Sequence, residues 1–127
     1  MQVASRKTAE MYGVVSASKI IGEVVINRQN EDLGKIHELV FDAKNGRLVY
    51  AVLSFGGFMG MGNKLFAMPW KAFEFATSEN KLILNVGKDK LTAAPGFDKD
   101  AKWPDFADRT WGKGIYDYYG FDPYWQE

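Results

Sequence analysis

Residues 42–55 read Asp42-Ala43-Lys44-Asn45-Gly46-Arg47-Leu48-Val49-Tyr50-Ala51-Val52-Leu53-Ser54-Phe55, and this stretch decides the fold. Asn45-Gly46 tolerates the positive φ that a hairpin turn needs, so 43–46 predicts a turn between strands 36–42 and 47–55. In the second strand Leu48, Tyr50 and Val52 share one face, while Val49, Ala51, Leu53 and Phe55 share the other. A strand with one face in water alternates apolar with polar residues. This one is apolar on both faces, so something must cover each. The second cover is either the C-terminal region or a second copy of the chain.

Working outward, 14–21 and 23–27 are β-branched segments separated by Gly22, and both are expected to be strands. Residues 64–68 predict a short strand ended by Pro69, which has no amide hydrogen for a ladder. Residues 72–76 and 81–86 predict a further hairpin across Thr77-Ser78-Glu79-Asn80. Six or seven short strands without helix-length crossovers favour an antiparallel barrel or sandwich. Residues 1–13 are polar and aperiodic, and read as a loose arm.

Beyond Val86 the composition changes. Residues 88–94 predict a turn or two of helix, stopped at Pro95-Gly96. Nine aromatic residues then lie between Trp103 and Glu127: Trp103, Phe106, Trp111, Tyr116, Tyr118, Tyr119, Phe121, Tyr124 and Trp125. Asp105 is the expected cap of a helix over 106–119, with Ala107, Trp111, Ile115 and Tyr118 along one stripe. Gly112 and Gly114 each cost such a helix about 1 kcal/mol relative to Ala. Burying one aromatic ring is worth roughly 1.5–3 kcal/mol, so the tail must dock on the barrel, a twin subunit or a partner.

The whole chain has 127 residues, enough for one domain, with 16 basic and 16 acidic side chains. A net charge of zero removes the long-range attraction that nucleic acid or an anionic membrane would exert. No run reaches the ~18–20 apolar residues that span a bilayer. Met1 to Gly13 lacks the apolar core of a signal peptide, which favours the cytoplasm.

Chemistry finds few footholds. Without Cys there is no thiolate ligand or nucleophile, and His37 is the single imidazole. It reads as a surface or hairpin-edge residue, and no metal or cofactor is expected. The glycine-rich loop Gly56-Gly57-Phe58-Met59-Gly60-Met61-Gly62-Asn63 leads into a strand, whereas a phosphate cradle opens a helix and ends in Gly-Lys-Ser/Thr. A close-packed turn is one reading. The other is a contact surface made of the soft side chains Phe58, Met59 and Met61. Asp98, Asp100, Asp105 and Asp108 lack the one-in-two spacing of a calcium loop. No serine sits in a nucleophile-elbow context. Four scattered arginines make no basic stripe, and residues 88–127 carry six basic against eight acidic groups, so base stacking by the tail is disfavoured.

Certain stretches, in order, resemble a PRC-barrel domain: Ser18-Lys19-Ile20-Ile21-Gly22; Asp32-Leu33-Gly34-Lys35-Ile36 with Asp42 after it; Arg47 to Leu53; and Lys64-Leu65-Phe66-Ala67-Met68-Pro69-Trp70. The resemblance runs from Ser16 to Val86, and the tail from Pro95 resembles extensions of stand-alone bacterial members. It implies a small, strongly bent antiparallel β-barrel that acts as an interaction or assembly module, often self-associating, without a common active site. The same module occurs in the cytoplasmic part of the photosynthetic reaction-centre H subunit and in a ribosome-maturation factor. This chain lacks the membrane helix of the first and the N-terminal domain of the second.

The expected architecture is therefore a mainly β, PRC-barrel-like domain over 14–94 with a short helical, aromatic-rich extension over 95–127. The expected function is non-enzymatic protein binding, as a homodimer or with another protein. The candidate contact residues are Phe58, Met59, Met61, Trp111, Tyr118, Tyr119 and Trp125. The competing readings are an accessory role in RNA or ribosome maturation and a regulatory partnership with a membrane electron-transfer complex.

Overall fold

A computed structural model describes residues 14–56, 63–76 and 81–126. The elements are α1 (Ala17–Ile20), β1 (Val24–Ile26), β2 (Asp32–Asp42), β3 (Arg47–Gly56), β4 (Asn63–Pro69), a 3-10 turn (Trp70–Ala72), β5 (Phe73–Ala76), β6 (Lys81–Leu84), α2 (Lys88–Thr92), β7 (Phe97–Asp98), α3 (Arg109–Tyr119) and a last 3-10 turn (Tyr124–Gln126). The strands form a single sheet in the order β5-β6-β1-β2-β3-β4-β7.

This sheet corrects the barrel expectation in two ways. Its ends, β5 and β7, are not hydrogen-bonded to each other, so the ladder does not close among the described residues. One pair is parallel: Val25 and Ile26 of β1 lie beside Leu82 and Ile83 of β6. Hydrophobic alternation fixes which residues face the core, but it says nothing about the direction of a neighbouring strand.

The hairpin β2–β3 is the spine. Asp42 accepts backbone N–H bonds from Lys44 and Asn45 and a side-chain bond from Asn45 at 2.8 Å, while Gly46 takes a positive φ of 68°. These contacts hold the Asp42 carboxyl below its ordinary value, the Asn45 side chain most of all, against a smaller opposing effect of desolvation. Two irregularities interrupt the pairing, one skipping His37 on β2 and one skipping Val49 on β3. Each extra residue sharpens the local twist. At the other end of β2, Gly34 has φ 101°, and a Cβ there would overlap the Ser54 carbonyl. Only glycine allows β3 to pass that close.

Residues 14–21, expected as a strand, instead contain the helical turn α1, and only Ile20 in it is buried. Ser16-Ala17-Ser18-Lys19 lacks the β-branched side chains that flank it, so local preference there is helical. Asn27, a buried polar residue, ties the following loop together. Its side chain accepts from the Gln29 and Glu31 amides and donates to the Glu31 carboxylate and the Val86 carbonyl.

The core runs along both faces of β3, where 49–53 are all buried, and takes in Val25, Leu33, Ile36, Phe66, Met68, Leu82, Leu84 and Leu91. α3 lies against β4. It starts at Arg109, later than expected, because Asp108 and not Asp105 caps it by accepting from the Thr110 and Trp111 amides. Asp105 instead closes the preceding turn through the Ala107 amide. Gly120, with φ 81°, ends the helix.

Candidate interaction site

Tyr50 organises the aromatic extension. It points from β3 into a box formed by Trp111, Tyr116, Phe106 and Tyr124, whose ring centroids lie 5.3, 5.5, 6.0 and 6.1 Å away. Such tilted and edge-on pairs add about 0.5–1.5 kcal/mol each to the burial itself. The Tyr116 hydroxyl donates to the Val49 carbonyl at 2.8 Å, and the Arg47 guanidinium donates to the Tyr124 carbonyl at 3.1 Å. The chain's own tail thus covers the Tyr50 face of β3.

Gly112 makes that fit possible. A Cβ on it would sit 2.5 Å from the Tyr50 hydroxyl and 3.2 Å from the Trp125 ring. Read from sequence alone the residue is a helix penalty, yet in the structure it is the point where α3 meets the sheet. The Tyr50 hydroxyl, fully enclosed, has no hydrogen-bond partner among the described residues. Burial, helped by the nearby Tyr116 and Tyr124, pushes its phenol well above the ordinary value. Tyr119 is similar: burial, then Tyr118, raises it, and its hydroxyl also lacks a described partner.

The sequence-derived contact residues divide into two groups. Phe58, Met59 and Met61 lie outside the described residues. Trp111 packs on Tyr50 and stays partly exposed. Trp125, also partly exposed, stands edge-on to Tyr124 and Tyr116, and the Arg109 guanidinium lies 5.2 Å from its ring. Tyr118 donates its hydroxyl to the Lys90 carbonyl at 2.7 Å, tying α3 to α2, and Tyr119 is buried. These four side chains are therefore engaged in the packing of their own domain. His37, the residue skipped by the first irregularity, lies 5.9 Å from the Trp103 ring. Among the described residues no group of His, Asp or Glu is arranged to hold a metal ion, and no helix is long and apolar enough to cross a membrane.

A different surface emerges on the opposite edge of the hairpin. β1 pairs with β2 only over 32–35, and its last contacts are the Gly22 amide on the Ile36 carbonyl and the Ile36 amide on the Glu23 carbonyl. From Glu38 to Asp42, β2 pairs with β3 alone among the described strands. The Leu39 amide is met by its own neighbour, the Glu38 carboxylate, at 3.2 Å. Two large apolar side chains border this edge: Phe41, 54% exposed, and Ile21, 41% exposed. Sequence reasoning missed both. Strict alternation puts Phe41 on the same face as Leu39, which packs partly buried against the core, and no local signal reveals that β1 ends before it reaches Phe41.

The family model for the PRC-barrel domain matches residues 13–96. No curated protein matches the chain. Among solved structures, the crystal structure of RimM from Pseudomonas aeruginosa, a protein assigned to 16S ribosomal RNA processing, is similar at 14% identity with a TM-score of 0.40. The alignment covers 59% of this chain and 45% of that one, so under half of RimM is represented. At those values the likeness carries no functional argument. The family match stands by itself: it spans most of the sequence and takes in the whole β2–β3–β4 hairpin system. The protein belongs to the PRC-barrel domain family.

Proposed function

We propose that the chain is a non-enzymatic interaction or assembly module that associates with itself. The observation that carries this reading is the uncovered edge of β2 with Phe41 and Ile21 beside it. An exposed strand edge offers unpaired backbone groups, and exposed rings beside it supply the apolar area that association needs. The Glu38 cap and the two irregularities blunt the edge against open-ended strand addition. Contact through side chains, with Phe41 at its centre, is the mode that remains. The aromatic tail, whose rings are occupied at home, is not the association surface.

Light scattering coupled to size-exclusion chromatography tests the proposal. The intact protein is expected to run as a dimer at micromolar concentration and Phe41→Ser as a folded monomer. A monomeric intact protein refutes self-association.

An accessory role on RNA is the second reading, favoured by one feature. Lys64, Lys88 and Lys90 lie over the Phe66, Phe55 and Tyr118 rings, at 5.1–5.9 Å, and form no ion pair with a described residue. Binding to ribosomal particles that falls steeply with salt would favour it, and no binding at low salt would end it.

A further inference from the structure

Where the extension meets the sheet it leaves a half-open cavity of about 180 Å³, lined by Ala67 of β4, Gly96 and Phe97 at β7, Pro104, and Trp111 and Ile115 of α3, with Lys102 at its rim. Gly96 holds one wall of it tightly against β4, so close that a Cβ would sit 2.7 Å from the Leu65 carbonyl and 2.8 Å from the Phe66 ring. Ala67 of β4 contributes only a methyl group to the lining. The lining carries one ionic group. Lys102 is exposed and pairs with no described carboxylate, although Asp98, Asp100 and Asp105 lie nearby in sequence.

We propose that this cavity binds a small monocyclic aryl carboxylate, with the ring inside and the carboxylate at the Lys102 ammonium. Three features carry the argument. An apolar cavity of ~150 Å³ is enough to hold a benzene ring, so this one has room for a single ring. Its lining is mainly apolar, with the side chains of Phe97 and Trp111 beside Ala67, Pro104 and Ile115, the composition that small-molecule sites use. The unpaired cation stands at the mouth, where a carboxylate keeps most of its hydration and its transfer costs little. The site is independent of the β2 edge, and its success or failure leaves the association proposal untouched.

The test is a titration with phenylacetate and with uncharged phenylacetamide, followed by the ¹H–¹⁵N signals of the Gly96 amide and the Trp111 indole. Saturable shifts at both signals are expected, with phenylacetate binding about two- to fivefold tighter, the range an exposed ion pair supplies. That preference is expected to vanish in Lys102→Gln, a change at an exposed side chain. Ala67→Leu is expected to fill the cavity and remove binding of both probes. Should Ala67→Leu fail to fold, Lys102→Gln still decides the matter. Absence of saturable shifts at millimolar probe, equal affinity for the two probes, or an undiminished preference in Lys102→Gln would each overturn the proposal.

Discussion

Replacing Gly112 by Ala sets two known effects against each other. Ala favours a helix interior over Gly by about 1 kcal/mol, so an exposed site would gain that much. Here the new methyl would lie 2.5 Å from the Tyr50 hydroxyl and 3.2 Å from Trp125. Tyr50 has no room to swing aside, because Phe106, Trp111, Tyr116 and Tyr124 ring it and its exposure is zero. Overfilling a packed core costs typically 1–3 kcal/mol, which leaves Gly112→Ala destabilised by about 0–2 kcal/mol. Tyr50→Phe removes the obstructing oxygen and, with it, a buried hydroxyl that has no described partner. That single change is expected to be neutral or mildly stabilising. In the Tyr50→Phe background, Gly112→Ala should then recover its helix preference and stabilise by up to about 1 kcal/mol. Urea unfolding of the four proteins closes the cycle, with an expected coupling of about 1–3 kcal/mol. Zero coupling, or a Gly112→Ala protein already stabilised in the native background, would refute the docking of α3 on Tyr50.

Three further changes probe other joints. Gly34→Ala combines a positive φ with overlap on the Ser54 carbonyl, and is expected to cost about 3 kcal/mol or more, measured as a loss of urea midpoint. Tyr116→Phe loses the bond to the Val49 carbonyl, and should cost about 1–2 kcal/mol in the same assay. Asp42 has a folded-state pKa below its ordinary 3.8, so its stabilisation is present above that value and is lost as pH falls through the lower, folded pKa. Asp42→Asn is therefore expected to lower stability near neutrality and to flatten the acid limb of the stability–pH curve. An unchanged acid limb would count against the turn's role.

What the sequence reveals depends on how far apart the interacting residues lie. The hairpin turn at Asn45-Gly46 is a local matter of positive φ, and it is where the reading places it. The two-sided apolar character of 49–53 correctly requires a second cover, since burial is written into the strand itself. Which group supplies the cover is not written there. The partners of Tyr50 come from more than fifty residues away, and the fit turns on the missing side chain of Gly112. The same reasoning explains the misplaced start of α3. Both Asp105 and Asp108 have capping chemistry, and the turn between Trp103 and the helix decides which one is used. β7 has two residues and pairs with Lys64 and Leu65, too little to leave a periodicity. The exposed Phe41 is hidden for a related reason. Its exposure follows from where the neighbouring β1 stops, and strand alternation is blind to that.

The extension is an integral part of the domain's interior, its rings enclosing Tyr50 of β3. Three of the four tryptophans, Trp103, Trp111 and Trp125, belong to the extension, whereas the ¹H–¹⁵N signals of Ala51 and Leu53 report the strand β3. Urea unfolding followed by both signals on the intact protein is predicted to give a single coincident transition. A fluorescence transition completed at lower urea, with the strand signal still native, would show that the sheet stands without its aromatic cover.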